Sequence, residues 1–176
     1  MPYNFVILMS NKIPPKFYTK NESTYYDTIR SSSKTIVDLA KAFTEKINKK
    51  EVNTIISKLY EKKSVDNLKQ YIAQNSVNNF DDFKKIFKSI MNSDFMKICS
   101  THKIVEETDN KIKFNITECI WAEVFKDLNE PEIGYCVNCY NDFAMAKIYH
   151  PKIKLTRTKT CMQGDDYCDH TYTWED

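Results

Sequence analysis

Side chains able to do chemistry crowd the last third of the chain: Cys136, Cys139 and Asp142 stand close together, and Arg157, Cys161, Cys168 and His170 follow. A helical reading of Tyr135 to His150 puts Cys136, Cys139, Phe143 and Ala146 on one face with Asp142 at its margin. A spacing of three brings Cys139 and Asp142 together. A carboxylate beside a thiol raises the thiol pKa, so Cys139 needs His102 or His170 to approach across the fold before it can act as a nucleophile. The other reading is a small buried cysteine packing as a hydrophobe. Cys136-Val137-Asn138-Cys139 also has the spacing of a zinc half-site that Cys161, Cys168 or His170 would complete. Structural zinc thiols normally come from a tight glycine-containing turn, whereas this pair sits in an amphipathic helical pattern, so no metal is expected.

Arg157 and His170 gain their interest from a hairpin. With Gln163-Gly164-Asp165-Asp166 as the turn, Cys161 faces Cys168, Lys159 faces His170, Arg157 faces Tyr172 and Leu155 faces Trp174. One face then carries Leu155, Arg157, Lys159, Cys168, His170 and Tyr172, and the other carries threonines and lysines that suit solvent. A buried guanidinium needs an anion. The sequence offers two: Glu118, by alternation on the inward face of an earlier hairpin, or a carboxylate on a ligand. His102 falls on that same inward face. So many titratable groups on one side of one sheet exceed what a closed core tolerates, which points to a pocket. His150, before Pro151 at a helix end, reads as a surface cap.

The elements that position these groups follow from periodicity. Ile36, Ala40, Phe43 and Ile47, then Val52, Ile55, Ile56, Leu59 and Tyr60, mark two amphipathic helices. Ser64 is placed to cap a third carrying Leu68 and Ile72, and Phe80, Phe83, Phe87 and Ile90 stripe a fourth. Alternation then takes over in Ile98, Ser100, His102 and Ile104 and in Ile112, Phe114, Ile116 and Glu118, joined by a Thr108-Asp109-Asn110 turn. Cys119 to Leu128 and Ile133 to Ile148 return to helical spacing, and Lys152 to Trp174 forms the second hairpin. The expected architecture is one α+β domain over residues 1–176: a helical part, 1–93, packed on an antiparallel sheet of two hairpins in a part spanning 94–176, with a ligand pocket between sheet and helices. The opening through Pro14-Pro15 is an apolar segment and a break whose structure the sequence leaves open.

Composition narrows the function classes. The 176 residues carry 26 basic and 24 acidic side chains, a net charge of +2, too balanced for a nucleic-acid or membrane-surface protein. Only two glycines occur, Gly134 and Gly164, too far apart for a phosphate-cradling loop. The longest apolar run, Phe5 to Met9, is too short to span a bilayer and lacks secretory-signal flanks. A cytoplasmic protein with six reduced cysteines is expected. Lysine dominates the cations; Arg30 and Arg157 are the two arginines.

Phe114 to Thr117 with Glu118-Cys119, then Cys139 and Asp142, Leu155-Thr156-Arg157-Thr158-Lys159-Thr160, Gly164-Asp165 and Cys168-Asp169 resemble the L-2-amino-thiazoline-4-carboxylic acid hydrolase family. The likeness covers roughly the C-terminal half, about residues 94–176. His170 stands where the family usually has an aromatic residue. The resemblance implies hydrolytic opening of a cyclic amidine bearing a carboxylate, to an N-carbamoyl amino acid with a free thiol. Such chemistry needs an anion receptor, a base for water and a proton source. Arg157 suits the first role. Glu118 or Asp142 suits the second, and Cys139, His102 or His170 the third, with His170, Cys168 and Tyr172 beside Arg157 on the substrate side. The expected partner is a small-molecule substrate with a carboxylate; no cofactor is expected, and a homo-oligomer is allowed. The competing class is a non-catalytic small-molecule sensor of the vinyl-reductase type. It would keep an apolar pocket without a base, and the inward Glu118 and Arg157 favour the hydrolase.

Overall fold

The computed structural model describes residues 24–175; the Phe5–Met9 run and the Pro14-Pro15 break lie outside them. Thr24 opens helix α1 (Tyr25–Thr44) with a capping box: its hydroxyl accepts the Asp27 amide while the Asp27 carboxylate accepts the Thr24 amide. Helix α2 (Lys49–Ile72) starts at Asn48, whose side chain accepts the Glu51 amide. It runs unbroken through Ser64, so the third helix expected to begin there is the second half of α2. Neither proline nor glycine interrupts it, and the Ser64 hydroxyl accepts a 2.6 Å bond from Asn141 Nδ2 instead of capping. Asn79 caps α3 (Phe80–Met91) and Ser93 caps the short α4 (Asp94–Cys99), which takes Ile98 out of the expected strand.

Strands β1 (Ser100–Glu107) and β2 (Lys111–Cys119) form the first hairpin. Helix α5 (Ile120–Asp127) and the short α6 (Pro131–Gly134) lead to a π turn over Tyr135–Cys139, and α7 (Asp142–Tyr149) follows. Strand β3 (Ile153–Thr156), a 3-10 turn at Cys161–Gln163 and β4 (Cys168–Trp174) complete the chain. The four strands lie in the order β1-β2-β4-β3, all neighbours antiparallel. The fold is α+β, as expected. Ile104 is the exception to the expected inward face: β1 is an edge strand with two register shifts, and Ile104 is exposed.

Two apolar clusters hold the helices to the sheet. Phe83, Phe87 and Tyr149 pack on Ile112, Phe114, Leu155 and Tyr172. Tyr26, Val37 and Val52 from the first two helices meet Ile120, Val124, Phe125 and Met162 in the other. Gly134 lets two segments of that second cluster touch. A β-carbon there would lie 2.5 Å from Met162 Sδ and 2.6 Å from Phe125 Cγ, and both neighbours are fully enclosed. Gly134→Ala is therefore expected to lose about 1–3 kcal/mol through overpacking, read as a lower urea midpoint at unchanged slope.

Candidate functional site

The β3–β4 hairpin is offset by two residues from the simplest register: Leu155 pairs with Tyr172 and Thr156 with Thr171. The cause is Asp169. Its Oδ1 accepts the backbone amides of Thr158 (2.8 Å) and Lys159 (2.6 Å), and its Oδ2 accepts the Thr158 hydroxyl at 2.7 Å. The chain leaves the ladder after Thr156, and Asp165 then accepts the Thr160 amide at 2.8 Å. Residues 157–160 become a clamped loop, and Lys159, expected inward, is exposed. Because the offset is an even number of residues, side chains still in the ladder keep their faces, and Arg157, the first residue past it, comes level with His170.

Burial works against the charge on Asp169, but the Thr158 hydroxyl and the two amides outweigh it and hold its carboxyl below the ordinary aspartate range. In the unfolded chain the group returns to about 3.9. Its stabilisation is complete above that value and lost as pH falls through the lower, folded value. Asp169→Asn is expected to cost about 1–2 kcal/mol near neutrality. The gap to the parent protein should close as urea titrations are carried to acid pH, through the lowered folded value.

Arg157 is the centre of the site, its side chain only 2% exposed. Its Nη1 donates to Asp142 Oδ2 at 2.5 Å and lies 3.1 Å from His170 Nε2, while Nη2 donates to the Cys139 carbonyl at 2.8 Å. The rings of Phe143 and Tyr135 flank the guanidinium at 5.1 and 5.7 Å. Burial opposes its charge, and Asp142, Cys139 and Tyr135 together outweigh burial and raise its pKa above the ordinary arginine value. A guanidinium can only donate, so His170 Nε2 accepts and its proton sits on Nδ1, which is buried without a partner among the described residues. His170 pairs across the sheet with Phe114 and stacks on it at 4.7 Å.

The carbonyl of Cys139 reaches Arg157 because the helix is widened there: the Tyr140 amide bonds to the Tyr135 carbonyl, five residues back, at 2.9 Å. Tyr140 and Asn141 remain helical, so the expected Tyr135–His150 helix keeps its course with one wide turn in it.

The structure thus gathers Arg157, Asp142, His170 and the backbone of Cys139. The arginine's internal partner is Asp142, not Glu118. Glu118 lies on β2 and accepts the hydroxyl of Thr101, and β4 stands between β2 and β3. His102, on the far edge strand with Nδ1 3.2 Å from the Ser100 hydroxyl, is three strand spacings from β3, about 14 Å. Tyr172 is enclosed by Phe83, Phe87 and Phe114 as a core ring, its pKa raised well above the usual tyrosine value by burial. His150 accepts the Lys152 amide at Nδ1 and stacks on Trp174.

Burial, then the nearby Asp142, push the Cys139 thiol far up, and burial pushes Cys119 up to about 12. Neither is a thiolate nucleophile near neutrality. Cys168, buried beside them, accepts the Cys161 amide at 3.2 Å, and its thiol is pushed far up by its bond to the Cys161 thiol and by burial. Among the described residues no three His, Cys, Asp or Glu side chains converge as a metal-binding group. No described helix is long and apolar enough to cross a membrane.

Sequence reasoning missed the Asp169 clamp, the Ser64–Asn141 bond and the wide turn. Asp169 had a visible signal, an acidic residue on a face otherwise made of threonines and lysines, but its targets are amides, which no side-chain pattern reveals. None of the curated proteins matches the chain. The family described as L-2-amino-thiazoline-4-carboxylic acid hydrolase matches residues 28–172, which takes in the helical part as well as the motif-bearing half. With Arg157, Asp142, Cys139 and Cys168 all inside the matched span, the chain belongs to the L-2-amino-thiazoline-4-carboxylic acid hydrolase family.

Proposed function

We propose that this protein hydrolyses a carboxylate-bearing cyclic amidine of the 2-amino-thiazoline type. Water adds to the ring carbon between nitrogen and sulfur, and the carbon–sulfur bond breaks. One water proton ends on the ring nitrogen and the other on the sulfur, giving an N-carbamoyl amino acid with a free thiol. The observation that carries this reading is Asp142: Oδ2 is anchored by Arg157, the side chain is one-quarter exposed, and Oδ1 takes no hydrogen bond among the described residues. A carboxylate held in place on one oxygen and open on the other is the arrangement a general base for water needs. Arg157, with both terminal nitrogens engaged inside the protein, is a positioning residue for Asp142, and we assign it no ligand carboxylate. The proton that Asp142 takes from water is the one returned to the departing sulfur; His170, a neutral imidazole whose Nε2 accepts from Arg157 and whose Nδ1 is buried, and the thiol of Cys139 are too weak as acids for that role.

The test is incubation of the purified protein with L-2-amino-thiazoline-4-carboxylate, following thiol release with a disulfide reagent and the N-carbamoyl product by mass spectrometry. Thiol appearing in step with substrate loss is the expected result. A rise in melting temperature with the ligand and no thiol would replace the hydrolase with the binding-domain reading.

A further inference from the structure

Arg157 is enclosed, 2% exposed, with both terminal nitrogens already donating inside the protein, so a substrate carboxylate needs another receptor. A cleft of about 550 Å³ lined by Tyr135, which also flanks that arginine, opens between the first half of α2 and the wide turn. It adjoins a second hollow of about 470 Å³ that shares Asn53, Glu132, Tyr135 and Cys136, and together they fall in the size range of small-molecule sites. The charges in it are sorted. Lys49 is neutralised by Glu132 at 2.7 Å, a carboxylate that makes this end unfavourable for a second anion. Lys50 and Lys58 also line the cleft, and neither takes part in an ion pair among the described residues. Lys50, Thr54 and Lys58 follow one another at intervals of four, so they share one face of α2.

Ser57 precedes Lys58 on the same helix. It is 92% buried, it lines the cleft, and none of the hydrogen bonds among the described residues uses its hydroxyl. Its hydroxyl can therefore bond a group that enters the cleft. Tyr135 and Tyr140 supply flat apolar walls opposite.

We infer that this cleft is the receptor for a small organic anion, with Lys50, Lys58 and the Ser57 hydroxyl holding the carboxylate and Tyr135 facing the ring that bears it. The inference rests on the hydrolase reading only for the identity of the ring; the anion is called for by the lysines and the serine. It divides the work of recognition between α2 and the Arg157 cluster, with Tyr135 as their common wall.

The test is isothermal titration of the full chain with L-2-amino-thiazoline-4-carboxylate and with 2-amino-thiazoline, which lacks the carboxylate. The carboxylate probe is expected to bind more tightly. Lys50→Met and Lys58→Met should each weaken it by about 10-fold and not weaken binding of the probe that lacks the carboxylate. Lys58→Arg should retain binding, and Ser57→Ala should weaken it by a smaller factor. Equal affinity for both probes, no binding of the carboxylate probe to the parent protein, or unchanged affinity in the Lys50→Met/Lys58→Met double variant each overturns the inference. Thiol release separates the two readings. Lysine-dependent binding without thiol keeps the cleft and removes the hydrolase; turnover whose KM the lysine variants leave untouched keeps the hydrolase and removes the cleft.

Discussion

Replacing Arg157 with leucine is expected to destabilise the fold by about 3 kcal/mol at neutral pH. The leucine leaves Asp142, three-quarters buried, without its counterion, and strips the Cys139 carbonyl and His170 Nε2 of their donor. An unpaired carboxylate in that setting favours its protonated form, so the deficit should shrink as pH is lowered toward the carboxylate range. Urea unfolding across pH measures both effects. The double variant Arg157→Leu/Asp142→Leu should recover part of the loss, since removing both members of a buried pair costs less than stranding one. A single variant as stable as the parent protein would mean that Asp142 is solvated well enough to need no partner.

Asp142→Asn is expected to lower turnover of the thiazoline carboxylate by about 100-fold or more, the scale of losing a general base. The amide still offers Arg157 an oxygen but cannot take a proton from water. Loss of the counterion also weakens the fold, so the rate is to be read at a temperature where circular dichroism shows the variant folded. The diagnostic is the pH profile. If Asp142 is the base, the acid limb of kcat/KM disappears in the variant; if it serves only to hold Arg157, the residual activity keeps that limb.

Much of this arrangement could be read before any coordinates. Alternation placed Arg157, His170 and Tyr172 on one face, and the two-residue offset left that assignment intact because side-chain direction repeats every second residue. Partner identity was less accessible. Alternation tells which face a residue takes and nothing about strand order, and with β4 inserted between β2 and β3 the inward Glu118 never comes beside Arg157. The spacing of Cys139 and Asp142 did announce their proximity. The role of Cys139 was hidden because the group that matters is its carbonyl, which every residue type shares. The division of α2 at Ser64 failed for a related reason: serine is favoured at helix starts, and its bond to Asn141, far away in sequence, overrides that preference.

The wide turn at Tyr135–Cys139 has a consequence for comparing related chains. A π turn holds one more residue than an α turn, so everything after it is rotated by about 100° relative to an uninterrupted helix. A relative with the same number of residues between its counterparts of Gly134 and Asp142 but an uninterrupted ladder would have its aspartate swung off the arginine, whereas a relative with one residue fewer would close the ladder and keep the aspartate in place. In this family a one-residue gap between those two positions is therefore compatible with an intact site.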